Sequence, residues 1–97
     1  MYAQVSRIQI QKGKIEEAII IFESSVLPLV RQQKGFKKFF LLVDRIANQV
    51  IVTNLWENEA DITGLLESGF YQEQVAKFAA IFDGGPERNV YEVAVEA

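Results

Sequence analysis

The chain has 97 residues, a formal net charge of −3, no histidine and no cysteine. That length suits one domain spanning residues 1–97. The missing residue types exclude Ser-His and Cys-His catalysis, disulfides, and metals held by thiolate or imidazole within this chain.

Hydrophobic residues make up 49% of the chain and charged residues 24%. A folded domain is expected, with more apolar surface than a small monomer readily hides. Nothing resembles the clustered basic face of a nucleic-acid binder. No run approaches the roughly 20 apolar residues of a membrane helix, and Met1-Tyr2-Ala3-Gln4 carries no leader pattern. The expected address is the cytoplasm, with neither nucleic acid nor membrane as a partner.

Tyr2 to Ile10 reads as the first strand, broken by Lys12-Gly13-Lys14. A long helix follows. Ile15, Ala18, Ile19, Phe22, Val26, Leu29 and Val30 recur at three- and four-residue steps and form one apolar stripe. Glu16 and Glu17 fall in its first turn, where the helix dipole favours them. Pro28 removes a backbone donor and predicts a kinked or loosened end. Gly35 closes the element.

Phe36 to Val43 is the second strand, with Phe36, Phe40 and Leu42 expected on one face and Phe39, Leu41 and Val43 on the other. A polar loop from Asp44 to Asn48 leads to a third strand over Gln49 to Glu57. There Val50, Val52, Asn54 and Trp56 share a face opposite Ile51, Thr53 and Leu55. Asn58, with Asp61 three residues later, predicts a capped short helix ending at Gly69. A second short helix is expected from about Phe70 to Asp83, with Tyr71, Val75, Phe78 and Phe82 on one side. Gly84-Gly85-Pro86 breaks the chain. Val90 to Glu96 is the last strand, with Tyr91, Val93 and Val95 on one face.

The order β-α-β-β-α-β predicts an α+β, ferredoxin-like domain: a four-stranded antiparallel sheet with helices on one face. The two middle strands carry large apolar side chains on both faces. Helices cover only one face, so a second copy is the simplest cover for the other, and a homodimer is expected.

Several pieces resemble antibiotic biosynthesis monooxygenase (ABM) domains. These are Lys12-Gly13-Lys14 opening a long helix, Pro28 near its end, and Gly35-Phe36 leading into Leu41-Leu42-Val43-Asp44. Thr53-Asn54-Leu55-Trp56-Glu57-Asn58 before the short helix and Tyr91-Glu92-Val93 in the closing strand complete the pattern. The resemblance implies a dimeric α+β barrel, in which two sheets pack face to face. It also implies membership of a group whose reactions differ: cofactor-free oxygenases of polyphenols and quinols, haem-degrading enzymes and a sugar-phosphate isomerase. The haem-degrading pattern uses Asn, Trp and His where this chain has Ser6, Leu65 and Val75. With no histidine there is no usual axial haem ligand.

The resemblance further implies a small-molecule pocket between helices and sheet, near Ser6, Leu65, Tyr71, Val75 and Phe78. Such a pocket is apolar with a few polar groups, as an aromatic ligand requires. Trp56 either stacks on a planar substrate or anchors the core. Asn54 either orients a substrate oxygen or bonds across strands. Tyr71 either donates a proton to a quinol oxygen or packs with its hydroxyl at the rim. Glu57 and Glu92 are bases only if buried, and Arg7 pairs with an anion or at an interface.

The expected function is therefore a cofactor-independent monooxygenase acting on a small aromatic, quinol- or polyphenol-like substrate. Tyr71, Asn54 and Trp56 are its catalytic candidates. Ser6, Leu65, Val75 and Phe78 are its substrate-binding candidates, with no cofactor and no metal. The alternatives are a non-catalytic dimeric module that binds a hydrophobic small molecule or partner, and a structural dimer with a filled interior.

Overall fold

A computed structural model describes all 97 residues. The elements are β1 (Tyr2–Gln9), a helix in three parts, β2 (Phe36–Asp44), β3 (Gln49–Trp56), α3 (Glu59–Glu67), α4 (Phe70–Ala76) and β4 (Glu87–Glu92). The sheet order is β2-β3-β1-β4, antiparallel throughout, which is the ferredoxin-like arrangement. No helix is long and apolar enough to cross a membrane.

The three-part helix comprises α1 (Ile15–Ile21), a π-turn (Phe22–Val26) and α2 (Leu27–Val30). Pro28 explains the wide turn. Its ring has no N–H and crowds the carbonyl four residues back, so the helix widens there instead of breaking. Accordingly the Leu27 N–H reaches the Phe22 carbonyl, five residues back. Phe22 and Val26, at the two ends of the π-turn, are both buried.

Strand register sorts the side chains into rows. On the helix-covered face, Phe39, Asn54, Gln4 and Val90 form one row across the sheet, and Leu41, Val52, Ser6 and Arg88 the next. On the open face the rows are Phe40, Thr53, Val5 and Asn89, then Leu42, Ile51, Arg7 and Glu87. Phe40 and Leu42 are 45% and 51% exposed, so this apolar face lies bare on the single chain.

Phe36 departs from the expected face. A β-bulge between Phe36 and Lys38 shifts the register, so Phe36 lies opposite Trp56 on the covered face and meets it edge-on at 5.7 Å between ring centres. Strand β4 starts three residues earlier than expected and ends at Glu92, although the Val93 N–H still bonds the Met1 carbonyl at 2.9 Å. The helix expected to reach Asp83 has its regular part end at Ala76 and continues as turns, with Phe82 following them. At the start of α3, the Asp61 carboxylate accepts from the Asn58 N–H at 3.0 Å.

The core lies between the covered sheet face and the helices. Ile8, Val50 and Val52 from the sheet pack against Ala18, Phe22, Val26 and Val30 from the long helix. Burial of each large side chain contributes roughly 1.5–3 kcal/mol against chain entropy.

Candidate active site

The layer between sheet and helices is not completely filled. A cavity of ≈ 70 Å³ remains, lined by 17 residues, 13 of them hydrophobic. Its apolar wall includes a run of four rings: Phe39, Phe22, Phe78 and Phe82. Successive ring centres lie 6.4, 4.4 and 5.6 Å apart, and the last pair is stacked. Phe22 and Phe39 also form part of an open groove of ≈ 580 Å³ on the other side, between the long helix and β2. Those two rings therefore stand between the cavity and the groove.

All seven residues singled out from the sequence line this cavity: Ser6, Asn54, Trp56, Leu65, Tyr71, Val75 and Phe78. Alternation along β3 sends Asn54 and Trp56 inward, where both are buried. The Trp56 indole N–H donates to Asn54 Oδ1 at 2.7 Å. An indole nitrogen only donates, so this bond fixes which end of the Asn54 amide faces Trp56. Tyr71, in the first turn of α4, brings its hydroxyl to 3.5 Å from Ser6 Oγ on β1. The Arg88 guanidinium lies over the Tyr71 ring at 5.4 Å, a cation–π contact, and its buried Nε has no partner.

No carboxylate or ammonium lines the cavity. Glu57 is at the surface, paired with Lys37 at 2.6 Å, and Glu92 accepts from the Tyr2 hydroxyl at 3.4 Å at the sheet edge. That lysine holds the Glu57 carboxyl below the ordinary range by hydrogen bonding and by charge. Neither glutamate reaches the cavity as a base. No group of three His, Cys, Asp or Glu side chains is placed to hold a metal ion. The site consists of hydroxyls, amides and an indole among apolar side chains.

Comparison with known proteins gives the family. The family model described as antibiotic biosynthesis monooxygenase matches residues 1–83. The chain belongs to that family. No curated protein matches it significantly in sequence. Among solved structures, the ABM-like neighbours include a monooxygenase from the gene ActVA-Orf6 of Streptomyces coelicolor, in complex with the ligand nanaomycin D. It is 12% identical, with a TM-score of 0.83 over 99% of this chain and 89% of that one. SnoaB, a cofactor-independent oxygenase from Streptomyces nogalater, is 14% identical, with a TM-score of 0.76 over 98% and 94%. The NE2512 protein of unknown function from Nitrosomonas europaea is 22% identical, with a TM-score of 0.78 over 99% and 91%. At these identities the likeness is one of fold.

In this ABM domain, three polar residues escaped the sequence reading. Gln4 and Gln74 are buried and line the cavity, and Arg88 contacts Tyr71 from β4. A signal for the first two exists. Gln4 and Ser6 precede Ile8 on the inward face of β1, and Gln74 falls within the stripe made by Tyr71, Val75 and Phe78. Polar residues at inward positions violate patterning, and such violations concentrate at functional sites. Arg88 carries no such signal, because β4 begins earlier than its apolar residues suggest.

Proposed function

We propose that this protein is a cofactor-independent monooxygenase acting on a small aromatic, quinol- or polyphenol-like substrate. The observation that carries the reading is the cavity itself: an apolar, ring-lined space with hydroxyl, amide and indole groups from opposite walls. Membership of the monooxygenase family supports it.

The chemistry asks for little from the chain. An activated ring methylene and O₂ give a ring carbonyl and water, with the substrate as sole electron donor. The protein has to exclude bulk water, hold the ring, and stabilise the substrate oxygen that becomes anionic. Tyr71 and Asn54 carry the groups that bond such an oxygen, Trp56 supports Asn54, and the nearby Arg88 charge favours an anion. Ser6, Leu65, Val75 and Phe78 shape the space around the ring.

The cavity volume bears on how a substrate enters. A drug-sized pocket has about 300–1,000 Å³, against ≈ 70 Å³ here. An aromatic substrate therefore requires the phenylalanine wall to move. The apolar Leu65 and Val75 favour a second reading, a module that binds a hydrophobic molecule without converting it. We also infer that two copies pair through their open sheet faces, because Phe40, Leu42 and Tyr91 on that face are about half exposed.

The test is aerobic incubation with a panel of quinols and anthrone-like polyphenols, following oxygen uptake beside a Tyr71→Phe variant. Enzyme-dependent uptake that falls at least tenfold in the variant is the expected result. Uptake at the spontaneous rate across the panel would leave the binding module as the surviving reading.

A further inference from the structure

Gln74 is 7% exposed and lines the cavity from α4. Its Oε1 accepts from Lys77 Nζ at 2.8 Å, and the same ammonium donates to the Ser25 carbonyl in the π-turn at 3.1 Å. An ammonium has donors only. The Gln74 amide is therefore held with its oxygen towards Lys77, and its NH₂ is the end left without a protein acceptor. Arg88 Nε is the one fully buried polar side-chain atom without a partner, so this NH₂ keeps some solvent contact, and a ligand that covers it has to accept from it.

Asn54 repeats the device on the opposite wall. The Trp56 indole occupies Asn54 Oδ1, so the Asn54 NH₂ faces away from that bond and also lacks a protein partner. Two amides of undirected chemistry are thus each turned the same way by a neighbour that only donates. One lies on the sheet and one on α4.

Resting on the cavity as the ligand site, we propose that Gln74 is a specificity-determining residue whose amide Lys77 locks as a donor, so that the cavity selects a ring bearing an acceptor oxygen at the α4 side. A carbonyl or phenolate oxygen satisfies that position. A bare hydrocarbon edge leaves the NH₂ unpaired. Lys77 is a positioning residue, acting on the ligand only through Gln74.

The probes are 1-indanone, which has one acceptor oxygen and no polar hydrogen, and indane, its hydrocarbon counterpart. Trp56 is the only tryptophan and sits in the cavity wall, so its fluorescence reports binding directly. Three proteins are compared: the unaltered chain, Gln74→Glu and Lys77→Met. Gln74→Glu keeps the bond to Lys77 and nearly the same shape, but replaces the donor by an acceptor.

The expected result is that Gln74→Glu weakens indanone about tenfold or more while indane changes less than twofold, with the melting temperature retained. Lys77→Met leaves the glutamine present but free to turn over, and narrows the ketone preference about threefold. Indanone binding equal in the unaltered chain and in both variants overturns the proposal and leaves the cavity reading standing. Failure of both probes to bind the unaltered chain overturns the cavity reading and the proposal with it. If Gln74→Glu fails to fold, Lys77→Met decides: an unchanged ketone preference overturns the proposal. Ketone discrimination without oxygen uptake on any quinol supports the role of Gln74 and defeats only the enzyme reading.

Discussion

Trp56 and Asn54 lie two residues apart on one strand, and the indole of the first holds the amide of the second at 2.7 Å inside a buried layer. Trp56 is 1% exposed and meets Phe36 edge-on, so it serves the core as well as the cavity. Replacing it by phenylalanine keeps much of the apolar contact but leaves Asn54 Oδ1 without its donor. The expected cost is about 2 kcal/mol in stability, from the orphaned acceptor and the lost ring volume. Chemical denaturation measures it. A change below about 0.5 kcal/mol would show that the indole bond contributes little.

Gly35 provides a sharper case. It has φ +82°, and a Cβ there would overlap the Asp61 carboxylate, which caps α3. Its carbonyl also accepts from the Glu57 N–H at 2.8 Å. Gly35→Ala is expected to cost about 3 kcal/mol, from backbone strain and displacement of the cap. Gly13→Ala, at the same φ but with open space around it, is expected to cost about 1 kcal/mol. Equal melting-temperature losses in the two variants would refute the role given to Asp61.

The bare sheet face leads to a prediction about assembly. Leu42, on the edge strand β2, shares a row with Ile51 and Arg7 on that face. Leu42→Glu places a charge where a second sheet is inferred to pack. Sedimentation velocity should show a dimer for the unaltered chain and a monomer for the variant. A monomer for both would remove the inferred pairing.

The Lys37–Glu57 pair predicts a weak pH dependence. The lysine lowers the glutamate below the ordinary carboxylate range, first by hydrogen bonding and then by charge. The glutamate correspondingly raises the lysine above its ordinary range. A depressed carboxylate stabilises the fold above its unfolded value, and that contribution is lost as pH falls through the folded value. A raised lysine stabilises below its unfolded value, and that contribution is lost as pH rises through the folded one. The contribution is therefore level between about pH 5 and 10 and fades at both ends. Both groups are about half exposed, so the effect is small and salt-sensitive. The melting-temperature gap between the unaltered chain and Lys37→Met should be constant at neutral pH and close as pH falls below the ordinary carboxylate range. A gap that persists in acid would point to lost packing of the lysine stem.

Much of the fold was legible in the chain because alternation and helical spacing have different periods. Inward Val50, Val52, Asn54 and Trp56 were sorted correctly from outward Ile51, Thr53 and Leu55. Phe36 was not, because one extra residue at a bulge reverses a face without leaving a compositional mark. The cavity residues named through the family resemblance do converge in space, whereas Gln4 and Gln74 read as ordinary solvated amides. Their burial depends on which neighbouring strands and helices cover them, and that is a property of tertiary contact. The polarity of Gln74 was further hidden, since it follows from a lysine whose nearest significance in sequence is only its charge.

The two rings shared by the cavity and the groove bear on kinetics. Phe22 sits at the start of a π-turn and Phe39 on an edge strand, which is hydrogen-bonded to a neighbour on one side only. A molecule exchanging between solvent and the cavity by that route has to wait for a ring to swing aside. Association by that route would then depend on how often the door opens more than on how often a ligand arrives. The same door would lengthen the stay of whatever has entered, so occupancy of the cavity by that route would be timed by two phenylalanines.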